Sequence, residues 1–334
     1  LGLSKAPDFG GQGMPHLVAT AVDEMWNASN LSFSLCPLLT SGAIEALSQH
    51  GSDTLKSTYV DKLVSGEWAG TMNLTEPQAG SDLAAIRTEA TPDGDAWRLS
   101  GQKIFITWGD QEITDNVIHL VLARIQGAPE GVKGISLFLV PKYLVNDDGS
   151  IGERNDLRAV SLEHKLGVHA SPTCTMVFGD SGGAIGYLVG EANKGLACMF
   201  TMMNAARLGT GLQGVAIAER AYQQAVAYAR ERVQGSRKGS DDRVTIIHHP
   251  DVRRMLMLMR AQTEAMRAVA YVTGALLDRA AGAPDEAERA DCKLRVDLMT
   301  PIAKAWCTEV AQEVTTLGLQ VHGGMGYIEE TGCA

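Results

Sequence analysis

The chain has 334 residues, 45% of them hydrophobic and 20% charged, with a formal net charge of −10. That length supports two or three packed layers or domains, and the acidic balance, with no basic run, argues against nucleic-acid binding. No stretch reads as long and apolar enough to cross a bilayer. The six scattered cysteines form neither a CxxC nor a zinc pattern, so no metal site is expected and a reducing, cytoplasmic compartment is.

Residues 1–13, rich in Gly and Pro, read as a loop, and LGLSKAPDFGG is neither a Met start nor a signal peptide. From 15 to 68, apolar positions recur at helical spacing: Leu17, Val18, Ala21, Val22 and Met25, then Leu39, Ile44 and Leu47, then Tyr59 and Leu63. Breaks at 27–30 and 50–53 divide this region into about three helices. From 71 to about 190 the period changes to two. A turn at 92–94 separates two strands, and strand-like runs follow at 116–125, 134–143, 158–167 and 173–180, with an exposed excursion at 146–155. Short strands at this spacing suggest a sandwich or barrel. Helices return after Gly195: one long segment over 196–233, a polar loop over 235–249, then helices over 250–281 and 285–318. Pro284, with Asp285 and Glu286, suits a first helical turn, whereas Pro301 is expected to kink or break the last helix. The order predicts an α+β protein: helical residues 1–70, an antiparallel β domain of sandwich or barrel type over 71–192, and a helical bundle over 193–334.

The junction between the first two regions, residues 71–82, reads TMNLTEPQAGSD. Thr75 and Ser81 carry hydroxyls, and Gly80 allows close approach of main-chain N–H groups, which together suit a phosphate or the edge of a ring. Taken alone, residues 77–82 suit an ordinary surface turn better than a ligand site, and Glu76 reads as part of that turn.

LTEPQAGSD together with SGQKIFITWGD at 100–110 resembles the paired signature of the acyl-CoA dehydrogenase family. MMNAARLGTGLQGVAIAERA at 202–221 and LQVHGGMGYIEE at 319–330 resemble two further signatures of that family, in the same order. The wording is closest to a larger, C-terminally extended subgroup whose substrates include a methylmercaptopropionyl thioester. The resemblance implies that the chain begins partway into the family's first helices and stops before its C-terminal catalytic segment. It implies FAD as cofactor, a homodimer or homotetramer, and removal of an α proton and a β hydride from an acyl-CoA to give the trans-2-enoyl-CoA. The hydride would go to flavin N5 and the electrons onward to an electron-transfer flavoprotein. An acyl-CoA oxidase using oxygen and a non-catalytic flavin or CoA-ester binding module are the alternatives.

Residue by residue, the resemblance assigns Met72, Leu74 and Thr75 to the flavin ring, Gly80 and Ser81 to its pyrophosphate, and Phe105, Ile106 and Thr107 to the ring's other side. Phe105 and Ile106 also suit a plain strand core. Arg232 and Gln234, with Gln320, Gly323 and Gly324, are matched to the FAD of a neighbouring subunit; an exposed helix-end Arg and a glycine helix stop are the alternative readings. Ser81, Ser171, Asn204 and Arg207 are matched to the CoA ester. The catalytic base stays unassigned: the family's usual Glu is expected beyond Ala334, and its alternative position is Ala206 here. Acyl chain length is left open, with an unbranched saturated substrate expected.

Overall fold

A computed structural model describes residues 1–239 and 241–333. Helix α1 (His16–Ser29), α2 (Leu31–His50) and α3 (Asp53–Ser65) fill the N-terminal region. Helix α3 shows why the breaks were legible. The Ser52 side chain accepts the Leu55 N–H at its start, and Gly66, with φ 83°, stops it in the left-handed conformation. Helix α2 departs from expectation. An 18-residue window of mean hydropathy 1.3 makes it apolar and long enough to cross a membrane, yet half of that window is buried in the protein. Its Gly42 lies against Met202, and its Ala43 against Gly70, where a glycine Cβ would stand 2.5 Å away.

Ten strands follow: β1 (Trp68–Asn73), β2 (Glu89–Asp93), β3 (Ala96–Thr107), β4 (Asn116–Ile125), β5 (Ile135–Pro141), β6 (Tyr143–Val145), β7 (Ile151–Arg154), β8 (Leu157–Leu162), β9 (Thr173–Phe178) and β10 (Ala184–Val189). Pairings β2–β3, β3–β10, β10–β5, β5–β4 and β4–β2 close a ring, to which β1 is added beside β4 and β9–β8 beside β3. Strand β5 is buried throughout and β4 nearly so, hence their unbroken apolar wording. The sheet is not wholly antiparallel, since β1–β4 and β2–β4 run parallel. Strand β1 begins three residues before the predicted change of pattern, and the 146–155 excursion contains β7, which pairs with β6.

The C-terminal region consists of α4 (Gly195–Glu231), α5 (Pro250–Gly282) and α6 (Glu286–His322). The predicted loop between α4 and α5 carries a small ribbon, β11 (Val233–Ser236) and β12 (Arg243–Thr245). Asp285 caps α6 by accepting from the N–H groups of Ala287 and Glu288. Pro301 does not break this helix. It removes one backbone bond, but Val296, Thr300, Ala303 and Cys307 are buried along one face and hold both halves in line. Gly211 and Gly214 let α4 come so close to α6 that a Cβ there would meet the Ala303 and Cys307 carbonyls at 2.8 and 2.4 Å.

The backbone groups into two units. One comprises Leu1–Met14 with Ser32–Ala206, and the other Pro15–Leu31 with Arg207–Ala334. In the second, α1 joins the C-terminal helices through Arg267, which reaches both Glu24 and Glu219 at 2.7 Å.

Candidate functional site

Within the first unit, the end of β1 and the middle of β3 are tied together. The Ile104 N–H donates to the Thr75 carbonyl at 2.9 Å, and the Thr71 hydroxyl donates to the Thr107 carbonyl at 2.8 Å. Strand β3 slips register against β9 between Lys103 and Ile106. Regular alternation would put residues 103 and 105 on one face. The bulge instead buries Lys103 and Ile106 and turns Phe105 out, 60% exposed, at φ 61°. A bulky residue in the left-handed region costs on the order of 1–3 kcal/mol and is retained where neighbours over-determine it, commonly at functional sites. Ile106 therefore sits with its side chain in the sheet core. Met72, Leu74, Thr75 and Thr107 are half-buried beside the bulge.

The loop after Thr75 closes on itself through paired backbone bonds between Glu76 and Ala79. Glu76 is not the exposed turn residue its wording suggests. Its carboxylate is 3% exposed and accepts from the Thr88 hydroxyl at 2.6 Å, the Arg87 N–H at 2.7 Å, the Thr88 N–H at 3.0 Å and the Lys103 ammonium at 2.8 Å. The same ammonium, wholly buried, donates to the Leu74 carbonyl at 3.0 Å. Burial alone would raise the Glu76 carboxyl, but Lys103 and the hydrogen bonds outweigh it and hold it at about 2. Burial pulls Lys103 down to about 8 against the pull of Glu76, so both groups are charged at neutral pH.

Gly80 and Ser81 lie exposed at the loop's tip, and a Cβ added at Gly80 would meet nothing within 4 Å. The loop's far limb is braced from β4. Arg124 donates to the Ala84 and Gly131 carbonyls at 2.6 and 2.8 Å and to that of Ile86 at 3.1 Å. Behind β1, Asn73 and His119 are buried side by side, and burial drives the imidazole down to about 3, so it carries no charge.

Ser171 is also buried, and its hydroxyl finds no partner among the described residues, while Lys165 holds its carbonyl at 2.7 Å. Asn204 is exposed on the part of α4 that belongs to this unit, whereas Arg207 falls in the other. Within that second unit the remaining residues gather at one end of the helices. Tyr228 stacks on His322 at 4.6 Å between ring centroids, which brings the Arg232–Gln234 segment and the Gln320–Gly324 segment to the same end. All five assigned residues there are exposed, and Gly323, at φ 62°, ends α6.

The residues in the first unit fit a planar ring system carrying phosphates. A strained, outward-facing aromatic ring supplies a flat apolar contact, and an open glycine tip leaves room for an anion. What a reading of the sequence missed is the support beneath them. Lys103 at a buried strand position and Arg124 at the end of an apolar run were the available signals, since charge at such positions needs a partner.

Residues 71–181 match the model of the acyl-CoA dehydrogenase middle domain, and residues 193–334 that of the acyl-CoA dehydrogenase C-terminal domain. The chain is 55% identical to 3-methylmercaptopropionyl-CoA dehydrogenase of Ruegeria pomeroyi over 99% of its own length and 56% of that protein's. It thus spans little more than half of that relative. It is 30% identical to the short-chain-specific acyl-CoA dehydrogenase of Clostridium acetobutylicum, covering 99% of this chain and 78% of that one. Among solved structures, butyryl-CoA dehydrogenase from Megasphaera elsdenii superposes with a TM-score of 0.80 at 26% identity, covering 98% of this chain and 78% of that one. The chain belongs to the acyl-CoA dehydrogenase family.

Proposed function

We propose that this chain forms the flavin-holding part of an FAD-dependent dehydrogenase. The enzyme would convert a saturated, unbranched acyl-CoA to the trans-2-enoyl-CoA in the cytoplasm and pass electrons to an electron-transfer flavoprotein. The observation that carries this reading is the join at Ile104 and Thr75, 2.9 Å between donor and acceptor, which brings two separate segments together around the strained and exposed Phe105. Met72, Leu74, Thr75, Phe105 and Thr107 would hold the ring of FAD, and Gly80 and Ser81 its pyrophosphate. FAD would supply a two-electron acceptor, which no side chain provides. Arg232, Gln234, Gln320, Gly323 and Gly324 would serve the FAD of a neighbouring copy in a homodimer or homotetramer.

Ser171, Asn204 and Arg207 are assigned to the CoA ester. The unpartnered Ser171 hydroxyl supports this, because such burial costs about 1–3 kcal/mol unless a ligand accepts the bond. Glu76, committed to Lys103, is not available to abstract the α proton, and that role is given to no residue of this sequence. The similarity to 3-methylmercaptopropionyl-CoA dehydrogenase supports testing a short thioether acyl group beside short straight chains as substrate, the sulfur being close in size to a methylene.

The test is the visible spectrum of the purified full-length protein, followed by anaerobic titration with acyl-CoAs of increasing length and with 3-methylmercaptopropionyl-CoA. A yellow protein bleached by a short member of that series is expected. A yellow protein that none of them reduces would remove the substrate assignment, and a colourless protein that takes up no FAD would remove the whole reading.

A further inference from the structure

We infer that Glu76 and Lys103 are positioning residues for the cofactor: their sealed ion pair locks the 74–79 loop onto the bulge of β3, and so fixes Thr75 and Phe105 relative to each other. The inference rests on the FAD reading above and adds the device that shapes the site. Lys103 is the residue at which the two segments meet. From β3 it donates to Glu76 at 2.8 Å and to the Leu74 carbonyl at 3.0 Å, one residue from Thr75, and the register slip that exposes Phe105 starts at Lys103 itself. Glu76 spreads the constraint, gripping Arg87 and Thr88 beyond the loop and the Gln78 amide at 2.6 Å within it. Neither group faces water, so the pair offers no recognition surface of its own. A sealed ion pair in a core is weak evidence for stability, because apolar replacements of similar volume are often neutral, whereas its geometry is demanding. Here that geometry sets the spacing of the two residues assigned to the ring.

The experiment compares the full-length holoprotein with Lys103→Met, Glu76→Gln and the Glu76→Gln/Lys103→Met double variant. Thermal unfolding by circular dichroism, the Kd for FAD and the band shape of the bound flavin are read for each. The double variant, which leaves no unpaired charge, is expected to unfold near the wild-type temperature. It should nevertheless bind FAD at least tenfold more weakly and with an altered visible band, because a thioether in place of the ammonium has no proton to donate to the Leu74 carbonyl. A folded double variant with wild-type Kd and band would overturn the inference and leave the FAD site standing. Should the double variant fail to fold, Glu76→Gln decides: unchanged Kd and band there would overturn the inference equally. A wild-type protein that takes up no FAD would bring down the underlying reading instead.

Discussion

Two of the ionic clusters that join sequence-distant segments of this protein do so under opposite conditions. In the first unit, Glu76 and Lys103 are sealed at 3% and 0% exposure. In the second, Arg267 grips Glu24 and Glu219 at the rim, with 29% exposure for the arginine and 10% and 24% for the acids. Lysine, a point charge, suffices where one ammonium must bridge a carboxylate and a carbonyl. Arginine's planar fork suits the second cluster, where it takes Glu24 through Nε and Nη2 at 2.9 and 2.7 Å and Glu219 besides. The sealed pair governs local shape and is intolerant of partial loss. The rim cluster fastens one helix, α1, to α4 and α5 and should lose its contribution by degrees.

Removing one member of the sealed pair should give the largest effect. Lys103→Met strands a buried carboxylate and is expected to lower stability by about 3–5 kcal/mol, most of it recovered in the double variant. Urea unfolding of the full-length protein checks both. Acid should act almost as strongly. The folded Glu76 carboxyl lies at about 2 against an ordinary value of 4.5, so its stabilisation is fully present above pH 4.5 and is lost as pH falls through 2. That shift corresponds to about 3 kcal/mol across the window. The expected signature is an acid-unfolding slope present in the wild type and reduced in the double variant; equal slopes would place the acid sensitivity elsewhere.

Neither cluster was legible in the sequence, and the reason is physical. Periodicity reports which face is apolar, and so it delivered the three N-terminal helices, the long α4 and the 116–125 strand. It says nothing of which charged residue meets which across 27 or 243 residues. It also fails where tertiary packing overrides local preference, as at Pro301 inside α6 and at the bulge that reverses Phe105. Thr75 and Phe105 were singled out by resemblance to a family, and the fold brings their segments together. Ile106, assigned on the same grounds, has its side chain in the core.

The rim cluster should answer in smaller steps. Arg267→Met removes charged hydrogen bonds worth about 1.5–3 kcal/mol each in shelter, discounted here by exposure, so a loss of about 2 kcal/mol is expected. Burial would raise Glu219, yet Arg267 and Gln223 hold it below the ordinary carboxylate range. The same substitution should therefore move its titration upward, readable by NMR.

Tyr271→Phe is the finest probe. The hydroxyl donates to Glu24 at 2.8 Å, and burial together with that carboxylate pushes it up to about 12, so it stays protonated and donating throughout the neutral range. Arg267 reaches the same Glu24 oxygen only at 3.2 Å, which makes the tyrosine the shorter of its two contacts. Deleting the hydroxyl should cost about 1 kcal/mol. Paired with Arg267→Met in a double-mutant cycle, it should show a coupling of at least about 0.5 kcal/mol, since both donors share one acceptor. Strict additivity would mean that the tyrosine and the arginine hold α1 independently, and the rim would then be two contacts rather than one network.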